Sequence, residues 1–180
     1  LIDKKEIVGI DSIEQIIGLL PKEVNKNMLL EPISIEIISS NTVGISDTIQ
    51  GKFNKLIHGY ININSYKNTL IWIGQEGFDT AIIELWKRLT VTERQSFQFG
   101  ILFNNDHKGT NQLSLIAVPE SIQSKFMKSD FFVIGKNDKH KPTELIEQLL
   151  IGDDLVRERI QKFEKAIESS PLSREDISLV

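Results

Sequence analysis

The residues best placed to do chemistry are Gly74, Gln75, Glu76, Gly77 and Asp79, in the run GQEGFD. They follow the apolar segment LIWI and precede an amphipathic stretch, so they sit between a strand and a helix N-terminus. Phosphate-binding loops occupy that position, because the free amides and the positive end of the helix dipole both favour an anion. The phosphate-loop pattern also needs a lysine and a serine or threonine after its last glycine. Here Gly77 is followed by Phe78 and Asp79, and Glu76 and Asp79 would repel a phosphate. A plain strand-to-helix turn is the stronger reading, and a degenerate nucleotide-binding loop made of those five residues is the alternative.

Other reactive side chains are scattered. His58, His107 and His140 stand apart in sequence, and none belongs to the paired helical spacing that metal motifs use. Asp106 and His107 share a loop between two expected strands, which makes a small hydrolase or nuclease built on them a weaker alternative. No serine is framed as G-x-S-x-G. Lys136, Lys139, His140 and Lys141 form a basic cluster too small for a nucleic-acid groove. Asp153 and Asp154 read as the start of a helix. No catalytic residues are assigned, and neither a cofactor nor a metal is expected.

The elements that must hold these residues can be read from periodicity. Ile13, Ile16, Ile17 and Leu20 make a first helical stripe, ended by Pro21. Residues 33–38, ISIEII, read as a strand. Ile49, Phe53, Leu56, Ile57 and Tyr60 predict a helix over 46–60, despite Gly51. Leu70 to Ile73 is uninterruptedly apolar, as in a strand covered on both faces. Ile82, Leu85, Trp86 and Leu89 give the next helix its buried side, followed by a polar connection. Phe97, Phe99, Ile101 and Phe103 alternate with polar or small residues, the clearest strand period in the chain, and are expected in the core.

LSLIAV, 113–118, is expected to return as the hairpin partner of that strand. Pro119 opens a short helix with Ile122 and Phe126, and FFVI, 131–134, is a further strand. Thr143 is the expected cap of a helix carrying Leu145, Ile146, Leu149 and Leu150. A last helix bears Val156, Ile160, Phe163 and Ile167 on one side. The sum is an α/β fold: a small mixed sheet of four or five strands flanked by helices. Residues 1–136 form the core domain and 137–180 a helical extension, packed on it or leading elsewhere.

A chain of 180 residues can bury one proper core. Its charge of −4, without a basic block, disfavours nucleic acid as a partner. The absence of cysteine removes disulfides and thiolate chemistry and suits a cytoplasmic setting. No apolar run reaches the ~20 residues of a membrane span. A start at Leu1 and a close on SREDISLV are expected of a piece of a longer polypeptide.

One stretch has a wider likeness. LIWIGQEG, then LWKRLTVTERQSF, then FQFGILF and LSLIAVP resembles the middle region of the bacterial GTPase-associated proteins. Leu85, Leu89, Glu93, Arg94, Ser96, Phe97 and Phe99 carry the likeness, which covers about 69–135. The resemblance implies a large multidomain component of a bacterial conflict or defence system, partnered with a GTPase or another effector. In that setting this region is an interaction or scaffold module with no catalytic residues to carry over.

The leading expectation is therefore a non-catalytic protein-interaction module, with the exposed surfaces of the helices over 80–89 and 156–167 as contacts. An open pocket at the strand ends beside Gly74 would favour ligand binding instead. Convergence of His107 with carboxylates would favour the hydrolase.

Overall fold

The computed structural model describes residues 13–18, 45–63, 69–103, 113–127 and 130–152. In chain order these form α1 (Glu14–Gly18), α2 (Asp47–Ile61), β1 (Leu70–Ile73), α3 (Phe78–Arg88), α4 (Val91–Ser96) and β2 (Phe99–Ile101). Then come β3 (Leu115–Val118), a 3-10 turn (Glu120–Ile122), α5 (Gln123–Phe126), β4 (Phe132–Ile134) and α6 (Leu145–Ile151). The expected strand over 33–38, the Asp106–His107 loop and the helix carrying Val156 to Ile167 lie outside the described residues.

The four strands pair in the order β2-β3-β1-β4. Every pairing among them is parallel: Leu70 faces Leu115 and Phe132, and Phe99 faces Leu115. The α/β class therefore holds, but the hairpin expected of 113–118 does not form. β3 lies beside β2 in parallel. A parallel return needs a connection of a dozen or more residues, and the stretch between Ile101 and Leu115 is long enough. The residues of β3 also argue for it, since all four are buried, which is the signature of a strand covered on both faces.

The alternation of side chains splits the core into two layers. Leu70, Trp72, Leu115, Ala117 and Ile134 point into the larger layer, where α2 and α3 bring Phe53, Leu56, Ile57, Ile82 and Leu85. Ile71, Ile73, Ile116 and Val118 point to the other face and meet Phe126 of α5. All eight residues of β1 and β3 are fully buried. Burial of such side chains contributes about 1.5–3 kcal/mol each, against roughly 0.5–1.5 kcal/mol for a ladder hydrogen bond. Packing therefore decides the register.

The path from β1 to β2 runs through α3 on the larger layer and passes over β3. The path from β3 to β4 runs through α5 on the opposite face and passes over β1. Right-handed crossovers running in opposite directions must lie on opposite faces, as these do. The connections thus diverge at the carboxyl ends of the neighbouring strands β1 and β3. In open parallel sheets that is where ligand crevices form.

Three local expectations are corrected. The connection expected to be polar coil after α3 is helix α4. Thr90 accepts from the Glu93 amide while the Glu93 carboxylate accepts from the Thr90 amide, a reciprocal cap. α6 is capped by Glu144 with Glu147, not by Thr143. The alternating run is only half buried: Phe97 packs against Tyr60 and Trp86, while Ile101, at the end of the edge strand, and Phe103, beyond it, are 48% and 69% exposed. An edge strand has no neighbour there to extend the core over them.

Candidate functional site

β1 stops at Ile73 because the next residue leaves the extended region. Gly74 and Gly77 hold φ of 77° and 71°, backbone that side-chain-bearing residues adopt only under strain. The Gly74 amide donates to the Val118 carbonyl at 2.8 Å, tying the turn to the end of β3. The Trp72 indole N–H donates to the Glu76 carbonyl at 3.3 Å, which pins the turn from below. A Cβ on Gly77 would lie 2.8 Å from Ile49 of α2. The glycines are thus required by the fold itself, with no phosphate needed to explain them.

Beside this turn the strand ends open into a cleft of ≈ 200 Å³. Gly74, Gln75 and Glu76 form one wall, Thr48 and Lys52 of α2 another, and Glu120 and Lys136, after β3 and β4, the mouth. Of the five residues singled out from the sequence, Gly74, Gln75 and Glu76 therefore line the cleft. Gly77 packs behind it as the N-cap of α3. Asp79 is exposed in the first turn of α3 and does not line it.

The residue that sequence reasoning missed is Lys52. Its side chain is buried, its ammonium donates to the Ile73 carbonyl at 2.6 Å, and it lies 3.8 Å from the centre of the Trp72 ring. Burial pulls its pKa down to about 8, although Glu76, Asp138 and Glu120 each push it back up. A signal was present: Lys52 falls three residues after Ile49 and four before Leu56, inside the apolar stripe of α2. A cation at a core position of a helix needs a reason, and here it is the end of β1.

At neutral pH about a tenth of such amines are uncharged, against a few in ten thousand for an ordinary lysine. Lys52 can donate a hydrogen bond, hold an anion in a partly dry site, or add to a carbonyl as a free amine. Lys136 is exposed, paired with Glu120 at 3.1 Å, and that hydrogen bond holds its ammonium above the usual pKa. The cleft thus joins an inner low-pKa amine to an outer ion pair.

The other reactive groups are distributed elsewhere. His58 and His140 meet around Glu147, away from the cleft lining and over the start of β4. The helix expected to present a contact surface, 80–89, has no exposed residue; all of them are buried or half-buried. That expectation is withdrawn for α3. No family model matches the chain, and neither a curated protein nor a solved structure does.

Proposed function

We propose that this α/β domain is a binding module whose ligand is a small carboxylate, with or without a neighbouring carbonyl, held in the strand-end cleft. The observation that carries the reading is the buried Lys52 amine on the cleft wall at the divergence of β1 and β3. Glu76 and Glu120 offset most of the charge of Lys52 and Lys136, which suits a singly charged carboxylate better than the several charges of a nucleotide. Titration of the isotope-labelled chain with glyoxylate, followed by amide NMR, tests this. Saturable shifts confined to 74–76 and the first half of α2, around Thr48 and Lys52, are expected. Shifts produced by magnesium-ATP and not by glyoxylate would transfer the site to the nucleotide reading.

A protein-interaction role in a larger assembly is the second reading. It is supported by Ile101 and Phe103, exposed at the end of β2 and two residues beyond it. The resemblance to GTPase-associated proteins supplies its setting, a bacterial defence component contacting a GTPase or effector. Co-purification with the proteins encoded beside it tests this reading: Phe103→Asp should release a specific partner, and an unchanged set of captured proteins would contradict it. No described helix is long and apolar enough to cross a membrane.

A further inference from the structure

His58 sits in the last turn of α2, His140 in the segment after β4, and Glu147 in the first turn of α6. The three ligand-type atoms, His58 Nδ1, His140 Nε2 and a Glu147 carboxylate oxygen, all lie within 4.8 Å of one another. Both imidazoles address Oε1 of Glu147: the Nδ1 of His58 contacts it directly, and the Nε2 of His140 is 3.3 Å from it. His140 Nε2 is also 3.3 Å from Oε2. It is therefore centred on the carboxylate at a distance long for a hydrogen bond to a charged group, which favours about 2.7–2.9 Å. Two ligands on a tetrahedral zinc, each ~2.0–2.1 Å from the metal, stand about 3.3 Å apart, a spacing that His140 and Glu147 already have and that the closer His58–Glu147 pair reaches only by separating around the ion.

We propose that His58, His140 and Glu147 form a zinc-type metal site, with three protein ligands and a fourth position open to water. The outer contacts are those a metal site needs to fix its ligands. Glu147 is fully buried, and its Oε2 accepts from the Thr143 amide at 2.8 Å and the Glu144 amide at 3.4 Å, which leaves Oε1 directed at the histidines. The segment carrying His140 is clamped to α2. Its amide donates to the Gly51 carbonyl at 3.3 Å, its carbonyl accepts from Asn54 at 3.1 Å, and Asp138 pairs with Lys55 at 2.6 Å. Gly51 is what allows this approach, because a Cβ there would stand 2.9 Å from the Asp138 carbonyl. Gly51 shares its side of α2 with Asn54, Lys55 and His58, and the space it leaves is the seat of the His140 segment.

The histidine side chains are 28% and 23% exposed, so an ion can enter and water can complete its shell. Two imidazoles and one carboxylate are a borderline-soft N/O set, which suits zinc over magnesium or calcium. The site and the Lys52 cleft share no residue. Either can stand without the other.

The test is calorimetric titration of tag-free chain with zinc alone, with cobalt as a spectroscopic substitute. One saturable ion per chain and a tetrahedral cobalt spectrum are expected. His58→Ala and His140→Ala should each weaken uptake by at least the roughly 100-fold that loss of an outer partner can cost. Glu147→Gln keeps an oxygen for the Thr143 amide, so it preserves the α6 cap while removing the ligand charge, and it should weaken uptake with circular dichroism unchanged. Absence of saturable zinc uptake by the wild-type chain would overturn the site, as would uptake in the two histidine variants as tight as in the wild type.

Discussion

The stability of the wild-type chain should rise by about 3 kcal/mol relative to Lys52→Met between pH 7.5 and 10.5. The sign follows from where the amine loses its proton. In the folded chain burial lowers its pKa to about 8, while in the unfolded chain it titrates at the ordinary 10.5. Below pH 8 both states carry the proton, and the folded state bears the cost of a partly desolvated charge. Between the two values the unfolded chain binds more protons than the folded one, so stability increases with pH. Methionine keeps the stem and cannot titrate, so other groups ionising in this window cancel in the difference. The neutral amine still donates to the Ile73 carbonyl. Urea unfolding of both chains at a series of pH values gives the difference curve, and a flat curve would show that Lys52 is an ordinary lysine.

Glu84→Ala should cost about 3–5 kcal/mol, because it strands a buried guanidinium. Glu84 accepts from Arg88 at 2.6 Å and from Lys87 at 2.8 Å, with Arg88 and Glu84 only 6% and 5% exposed. Burial alone would raise the Glu84 carboxyl, but hydrogen bonds from Arg88 and Lys87 hold it below the usual range. Its contribution is therefore present above the unfolded carboxylate range and lost as pH falls through the folded value. Arg88 also donates to the Leu150 carbonyl at 2.5 Å, so this group ties α3 to α6. The pair Glu84→Leu with Arg88→Met should recover most of the loss, since removing both charges leaves none stranded. A single-variant loss under about 1 kcal/mol would mean that water reaches the pair.

Much of the scaffold was legible because its signals are local. The run Leu70 to Ile73 announces a doubly covered strand, and the stripe from Ile49 to Tyr60 announces α2. The cap of α4 was equally local, Thr90 with Glu93, and was passed over among polar neighbours. Pairing direction is not local: nothing within LSLIAV distinguishes a hairpin return from a parallel one except that every residue is apolar or small. Lys87 and Arg88 close α3, where cations complement the helix dipole, yet both turn back to Glu84.

The site was half legible. Gly74 to Glu76 were found by their place between strand and helix, while Lys52 was hidden as a charge within an apolar stripe. His58 and Glu147 lie 89 residues apart, so no spacing rule joins them; only the clamping of the His140 segment onto α2 does.

The proposed ligand cleft at Lys52 is tested most directly by the glyoxylate titration by amide NMR on wild type beside Lys52→Met. Saturable shifts at Gly74, Gln75 and Glu76 in the wild type, lost in a Lys52→Met chain that remains folded, are the expected result. Shifts that are absent, or that persist unchanged without the amine, would contradict it.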